Sequence, residues 1–408
     1  MKRLWVIGLC FLALAVSCGK AKPSNAELSN GGDGGGETAR ASSGPVITDW
    51  AKTNKLDDGS QTEAELYELA KQEGQVTVYS ISSRITAVKT SFEKQYPGVT
   101  VNAFDISSNE LYEKVTREYE AGIYNADLVH IKDEDGAIYQ EMVLPGKFIL
   151  YYPNDIIAHI PEGARQYAMP LYVELAQWFY NSELYSAPPI TSWWDLTKPE
   201  WKSRLVLQDP LSANTYIINF TAFVENAKLF EEDYERVFGQ KIQLSPECPT
   251  AAHELIKRLM DNDLIFESSS DAVCEAVGTK GQKGPGLLGW AASSKLRKNE
   301  SDGWVLAPIN ITPATSLQNQ NNLYIVEHAP HPNAAKLLLR WMLGGTDGKG
   351  EGFNPFNTLG GWSVRDDVTP AAGNPPLAEL RTFDGDPNYL YANVPDIKDF
   401  WISLQANR

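Results

Sequence analysis

Gln75–Asp105 reads QVTVYSISSRITAVKTSFEKQYPGVTVNAFD. Val76, Val78 and Tyr79 give a β-rich run that ends in the polar turn Ser80-Ile81-Ser82-Ser83-Arg84. Ile85, Val88 and Phe92 follow at helical spacing, Tyr96-Pro97-Gly98 stops that helix, and Val99-Thr100-Val101 opens a second β-rich run. A strand, helix and strand joined this tightly favour a parallel pair with a crossover helix. The next stretch extends the pattern. Ser107-Ser108-Asn109-Glu110 starts a helix with Leu111, Val115 and Tyr119 on one face, and Ala126–Ile131 is a short strand of buried type. The alternation β-α-β-α-β predicts an open α/β sheet, in which ligands sit beyond the carboxyl ends of the strands. Two turns fall there, Ser80–Arg84 and Ile106–Asn109.

Working back toward the N-terminus, Ser60-Gln61-Thr62-Glu63 has the form of a capping box, and Leu66, Leu69 and Ala70 follow before Glu73-Gly74 ends the helix. Met1–Cys18 has the three parts of an export signal: Lys2 and Arg3, the apolar run Leu4–Val16, and small residues before Cys18. The apolar run is too short to span a bilayer comfortably. Its ending resembles a bacterial lipobox, in which Cys18 is lipidated and becomes the mature N-terminus; an ordinary cleaved signal is the plainer alternative. Gly19–Val46, with Asn30-Gly31-Gly32-Asp33-Gly34-Gly35-Gly36, has the composition of a flexible tether.

Downstream, prolines at 145, 153, 161 and 170 divide the chain into short pieces, and Met169–Asn181 reads as one extended strand. Ser192–Lys202 is a Trp-rich corner, Leu205–Leu207 a strand, and Asp209–Thr215 leads into a helix through Val224. Helices near 250–260 and 270–277 and the strand Gly286–Trp290 complete a second α/β unit. Strands at Trp304–Ile309 and Asn322–Val326, an apolar helix at Asn333–Leu343 and a final helix at Asp396–Gln405 close the chain. No membrane-spanning segment follows the signal.

The chain has 408 residues, 43% of them apolar, enough for two well-cored domains. Its formal net charge of −16, with no basic run, argues against a nucleic-acid partner. Removing Cys10 with the signal and lipidating Cys18 leaves Cys248 and Cys274. In an exported protein these two fit either a disulfide or a pair of buried thiols, and no CxxC or His spacing suggests zinc.

Several segments together resemble the extracellular solute-binding proteins of ABC importers. They are Glu73–Ser80, the helix end Phe92–Val99, Asn109-Glu110-Leu111 before Ala126–Val129, Trp178–Asn181, Ser192–Lys202, Asp209-Pro210 and His328–Lys336. The resemblance is to the ferric-iron and small-anion branch of the type 2 periplasmic-binding fold. It implies an α/β protein of two lobes with mixed sheets and a ligand cleft between them. The expected division is a signal peptide at 1–17 and a tether at 18–47. Lobe one then takes 48–150 plus 304–345, and lobe two takes 151–303 plus 346–408. Ferric-binding members place a His in the turn after the first strand and adjacent tyrosines in the second lobe. Here the turn holds Ser82, Ser83 and Arg84, and the adjacent pair Tyr151-Tyr152 lies near the lobe junction. Ferric iron wants anionic oxygen ligands, so the resemblance favours another solute.

The candidate ligand contacts follow from these turns. Ser80, Ser82, Ser83 and Arg84 offer hydroxyls, helix-start amides and a fixed positive charge, the ingredients of an anion site; simple helix capping is the alternative. Ser107, Ser108 and Asn109 carry the same two readings. Ser212, Asn214 and Thr215 form the matching helix start in the second lobe, and Tyr172 and Trp290 are candidate walls. His328 and His331 flank Pro330 and are read as structural, and Lys280–Gly286 lacks P-loop spacing. No catalytic signature, metal set or cofactor motif stands out. The expected function is a membrane-anchored solute receptor of the bacterial cell envelope, monomeric. It closes on a small anionic or zwitterionic solute and delivers it to an ABC permease. The alternatives are a ferric-ion or ferric-chelate receptor and, from another class, an envelope lipoprotein hydrolase.

Overall fold

The computed structural model describes residues 44–406. Cys18, the signal and the tether up to residue 43 lie outside the described residues. Two β-sheets, each with its own apolar core, carry the architecture. The first has seven strands: β1 (Gln75–Ser80), β2 (Thr100–Asp105), β3 (Leu128–Lys132), β4 (Phe148–Ile149), β5 (Met169–Glu174), β12 (Asn319–Val326) and β13 (Trp362–Ser363). Its main order is β13-β5-β12-β3-β1-β2. The second has five: β6 (Ala176–Asn181), β7 (Leu205–Gln208), β8 (Ile265–Glu267), β9 (Leu288–Ala292) and β10 (Leu306–Ile309), in the order β10-β6-β9-β7-β8. A short parallel pair, β11 (Ser316–Leu317) with β14 (Thr382–Phe383), completes the set. Both large sheets are mixed. β1 runs parallel to β2 and β3, as the opening stretch predicts, whereas β12 is antiparallel to β3 and β5.

The helix Ile85–Gln95 buries Ile85, Val88 and Phe92, the residues picked out by its periodicity. Burying one such side chain contributes about 1.5–3 kcal/mol. The helix Pro332–Met342 also packs on the first sheet, with ten of its residues buried. In the second core, Trp178, Trp193 and Trp290 cluster with Phe220 and Phe223. Interlocking aromatics of this kind bury large apolar surfaces.

Two details differ from the sequence reading, and a third decides between its two alternatives for the cysteines. The capping box sits two residues later than expected: Thr62 accepts from Glu65 N, and the Glu65 carboxylate accepts from Thr62 N, before the helix Glu63–Glu73. Met169–Asn181 is not one strand but two, β5 and β6, and the chain passes between sheets at Leu175. Cys248 and Cys274 are free and buried, with no disulfide. Cys274 packs in the cluster of Phe179, Val206 and Val277, whereas Cys248 precedes the helix Ala251–Asp261 and is absent from that cluster. Burial pushes both thiols up to about 12.

Sheet membership also moves the lobe boundaries. β5 belongs to the first sheet, so the first crossing falls at Leu175 instead of near 150. β10 pairs with β6, so 304–317 stays with the second sheet and the return crossing falls at 317–319. Phe353, Phe356 and Trp362 pack into the first core, and Leu390, Ile397 and Trp401 into the second, so a third crossing falls near 380–383. An extended apolar run shows no sign of a crossing, because its side chains are buried on both sides of it.

Candidate functional site

The ends of β3, β5 and β12 meet the second sheet beside these crossings. A cavity of about 90 Å³ lies there, lined by Lys132, Glu174 and Asn319 on one side and Gln208, Thr215 and Ser270 on the other. Lys132 Nζ and Glu174 Oε2 are 3.0 Å apart. Burial opposes charge on Lys132, but Glu174, Tyr172 and Glu134 together hold the ammonium above the ordinary lysine range. Burial likewise disfavours the Glu174 carboxylate, but Lys132 and then Arg84 hold it below its usual range. Both groups are therefore ionised within the cleft.

The turn Ser80–Arg84 lies near this pair, with Arg84 acting on the Glu174 carboxylate. Ser80 is fully buried, and its hydroxyl lies 2.9 Å from His130 Nδ1 and accepts from Ser82 N. It braces the turn from behind, so its expected ligand contact is corrected to a structural one. Ser82 is half-buried and Ser83 exposed at the start of the helix Ile85–Gln95. Arg84 projects over the Tyr172 ring, 5.8 Å from its centroid, and its guanidinium has no hydrogen bond or ion pair among the described residues. Tyr172 is 4% exposed and stacks on Phe356. At its phenol three cations, Lys132, Arg84 and Arg297, act against one carboxylate, Glu174. Arg297 comes from the second lobe and, apart from a bond to the Ser294 carbonyl, is also without an ion pair among the described residues. His130 is held neutral beneath the turn, its pKa lowered to about 3 by burial, with Lys132 and Arg84 adding to the effect.

On the second lobe, Thr215 Oγ1 donates to Glu134 Oε1 of the first lobe at 3.3 Å. Ser212 and Asn214 are exposed, and Ser212 Oγ is turned back to the Asp209 carbonyl. Ser107, Ser108 and Asn109 are exposed beside β2, the edge strand of the first sheet. Trp290 is fully buried, stacked on Trp178, so it is a core residue and not a cleft wall. Of the expected residues, Thr215 lines the cavity, and Arg84 and Tyr172 act on its Lys132–Glu174 pair. The structure adds Lys132, Glu174 and Arg297, which the sequence reading passed over. A signal was present for two of them: Lys132 ends the otherwise buried run Leu128–Ile131, and Glu174 interrupts the apolar run Met169–Leu175.

The adjacent tyrosines do not enter the cleft. Tyr151 is fully buried in the first core, and the Tyr152 hydroxyl donates to the Arg165 carbonyl. His331 Nδ1 pairs with the buried Asp127 at 3.0 Å, in keeping with its structural reading.

The profile of the bacterial extracellular solute-binding proteins matches residues 87–376. The chain belongs to that family. Among solved structures, this solute-binding protein is similar to iron-bound HitA from Pseudomonas aeruginosa (14% identity, TM-score 0.59, 81% of this chain and 99% of that one covered). It is similar to the Trichodesmium IdiA (FutA) complex with iron and citrate (18%, TM-score 0.58, 81% and 99%). It is also similar to AfuA from Actinobacillus pleuropneumoniae with fructose-6-phosphate bound (17%, TM-score 0.57, 81% and 98%). At these identities the likenesses establish the two-lobed periplasmic-binding fold. No curated protein matches this solute-binding protein in sequence.

Proposed function

We propose that this solute-binding protein captures a small anionic or zwitterionic solute between its lobes and presents it to an ABC permease. One observation carries the choice of ligand: Arg84, over the Tyr172 ring, and Arg297, which acts on the same phenol from the opposite lobe, have no ion pair among the described residues. A planar, permanently charged guanidinium recognises carboxylate or phosphate in bidentate fashion. An anion bridging the two would gain from both lobes at once, which is what shifts a hinged protein toward its closed form. Thr215 Oγ1, at the second-lobe helix start, donates to the Glu134 carboxylate, which supports a role for this hydroxyl in holding an anion. We assign Ser82, Ser83, Arg84, Tyr172, Thr215, Lys132, Glu174 and Arg297 to the site, with Ser107, Ser108, Asn109, Ser212 and Asn214 at its margins. The export signal and Cys18 support anchoring by lipid on the outer side of a membrane, and a receptor of this design works without catalysis.

Ferric iron is the second reading, since iron is bound in two of the similar structures. Against it, the cavity offers one carboxylate already paired to Lys132, and the Tyr216 hydroxyl is committed to the Trp290 carbonyl. Native mass spectrometry of the purified protein, with a thermal-shift panel of phosphate esters, phosphonates, carboxylates and ferric salts, separates the two. Stabilisation by anions supports the proposal. Stabilisation by ferric salts alone overturns it, and turnover of a phosphoester or glycoside would move the protein to the hydrolase class.

A further inference from the structure

A second cavity, of about 70 Å³, lies where the crossing segments converge. Asp133 and Glu134 after β3, Asn322 and Tyr324 of β12, and Asp384 ahead of the helix Pro387–Ala406 all line it. Asn322 is 3% exposed and Tyr324 0%; the Asn322 side chain reaches the Tyr324 hydroxyl, and Asn322 Oδ1 is buried without a hydrogen-bond partner. Buried oxygens left unpaired are costly, and each calls for an occupant that can satisfy it. Gln320, also in the lining, gives its Nε2 to the Ala164 carbonyl, leaving its amide oxygen as an acceptor.

The charge around this cavity is one-sided. Lys132 is the only cationic residue in its lining, and Glu174 already pairs with it. The Asp133 carboxylate accepts from Ile138 N and Tyr139 N. A neutral water could bond to Asn322, but it would leave Asp133, Glu134 and Asp384 facing only Lys132, which Glu174 already holds.

We propose that the cavity is a binding site for a small hard cation, held by Asp133, the Asn322 amide oxygen and Asp384. Carboxylate, amide and hydroxyl oxygens are the donor set that alkali and alkaline-earth ions take. The ligands come from the first lobe, from the crossing strand β12 and from the lead-in to the C-terminal helix. A bound cation would therefore fasten the hinge itself, apart from any solute in the cleft.

The test is a melting curve of chelator-treated full-length protein in calcium, magnesium, sodium or potassium chloride, at ionic strength matched with tetramethylammonium chloride and without solute. At least one cation should give a saturable rise of several degrees. The rise should vanish in Asn322→Leu and weaken in Asp384→Asn, a change at an exposed position that folding tolerates. It should survive in Asp366→Asn, which alters the exposed His159–Asp366–Asp367 group instead. Asn322→Asp should strengthen the dependence on the cation. No saturable rise in the wild type would mean that the cavity holds water and would overturn the proposal. A rise kept in both Asn322→Leu and Asp384→Asn, or lost in Asp366→Asn, would overturn it equally.

Discussion

Arg84 is a charge held in place by its neighbours and not neutralised by them. Its turn is braced by Ser80 and His130, and its guanidinium lies over Tyr172 with no ion pair. Removing it should therefore cost binding and leave folding intact. Arg84→Ala is expected to weaken an anionic solute by about 1.5–3 kcal/mol, the usual worth of a charged hydrogen bond. Calorimetric titration of the folded variant checks this, and unchanged affinity would remove Arg84 from the site. His130 makes a separate prediction in pH. Its pKa falls from 6.5 to about 3 in the folded protein, so the unfolded chain binds the extra proton between those values. Its contribution to stability is whole above pH 6.5 and is lost as pH falls toward 3. Asp133 and Glu225, both raised to about 7, act in the opposite sense, so the comparison must be made against a variant. In urea titrations between pH 4 and 6.5, His130→Asn should flatten the acid slope by up to about 1.4 kcal/mol per pH unit. An unaltered slope would mean that His130 titrates normally.

Among the elements, the crossing at Leu175 is tied by one hydroxyl. Ser293 Oγ accepts from Leu175 N at 2.9 Å and donates to the Gly360 carbonyl at 2.6 Å. Ser293→Ala strands both buried backbone groups and should cost about 1–3 kcal/mol for each, measured by chemical denaturation. Gly360→Ala should be worse. Gly360 has φ +81°, and a Cβ there would stand 2.0 Å from the Ser293 carbonyl oxygen. Wild-type stability in either variant would show that this tie is dispensable. The crossing also marks the limit of what the sequence discloses. Helices and strands of the first sheet are legible because Ile85, Val88 and Phe92, or Val76 and Val78, repeat with the period of their element. The crossing is hidden because Met169–Asn181 keeps its β character on both sides of Leu175. The helix Pro387–Ala406 runs through Pro395, so its first half is masked by a residue that normally ends helices. The site is half legible for a related reason. Arg84 and Thr215 stand at helix starts, where a local pattern announces them. Lys132, Glu174 and Arg297 become site residues only when the two sheets are brought together, which no local pattern records.

For the molecule as a whole, closure is decided by contacts between lobes, and some of these lie away from the cleft. The Tyr391 hydroxyl, on the C-terminal helix, donates to Glu141 Oε1 at 2.9 Å, and the Tyr112 hydroxyl donates to Glu141 Oε2 at 2.5 Å. Beside them Gln140 Nε2 donates to Asn388 Oδ1 at 2.7 Å. The helix Pro387–Ala406 packs in the second core, whereas Tyr112 and Glu141 belong to the first. If these bonds form on closure, they add to the solute's own contacts and raise the closed fraction. The apparent dissociation constant scales inversely with that fraction. Each exposed bond is worth about 0.5–1.5 kcal/mol. Tyr391→Phe and Glu141→Gln should therefore each weaken solute binding roughly two- to tenfold without altering any residue of the cleft. Small-angle scattering should show a larger radius of gyration for either variant at a solute concentration that closes the wild type. Equal affinity and equal scattering would mean that residues 386–391 travel with the first lobe. The bond would then be part of the hinge, and closure would rest on Arg84, Arg297 and the solute between them.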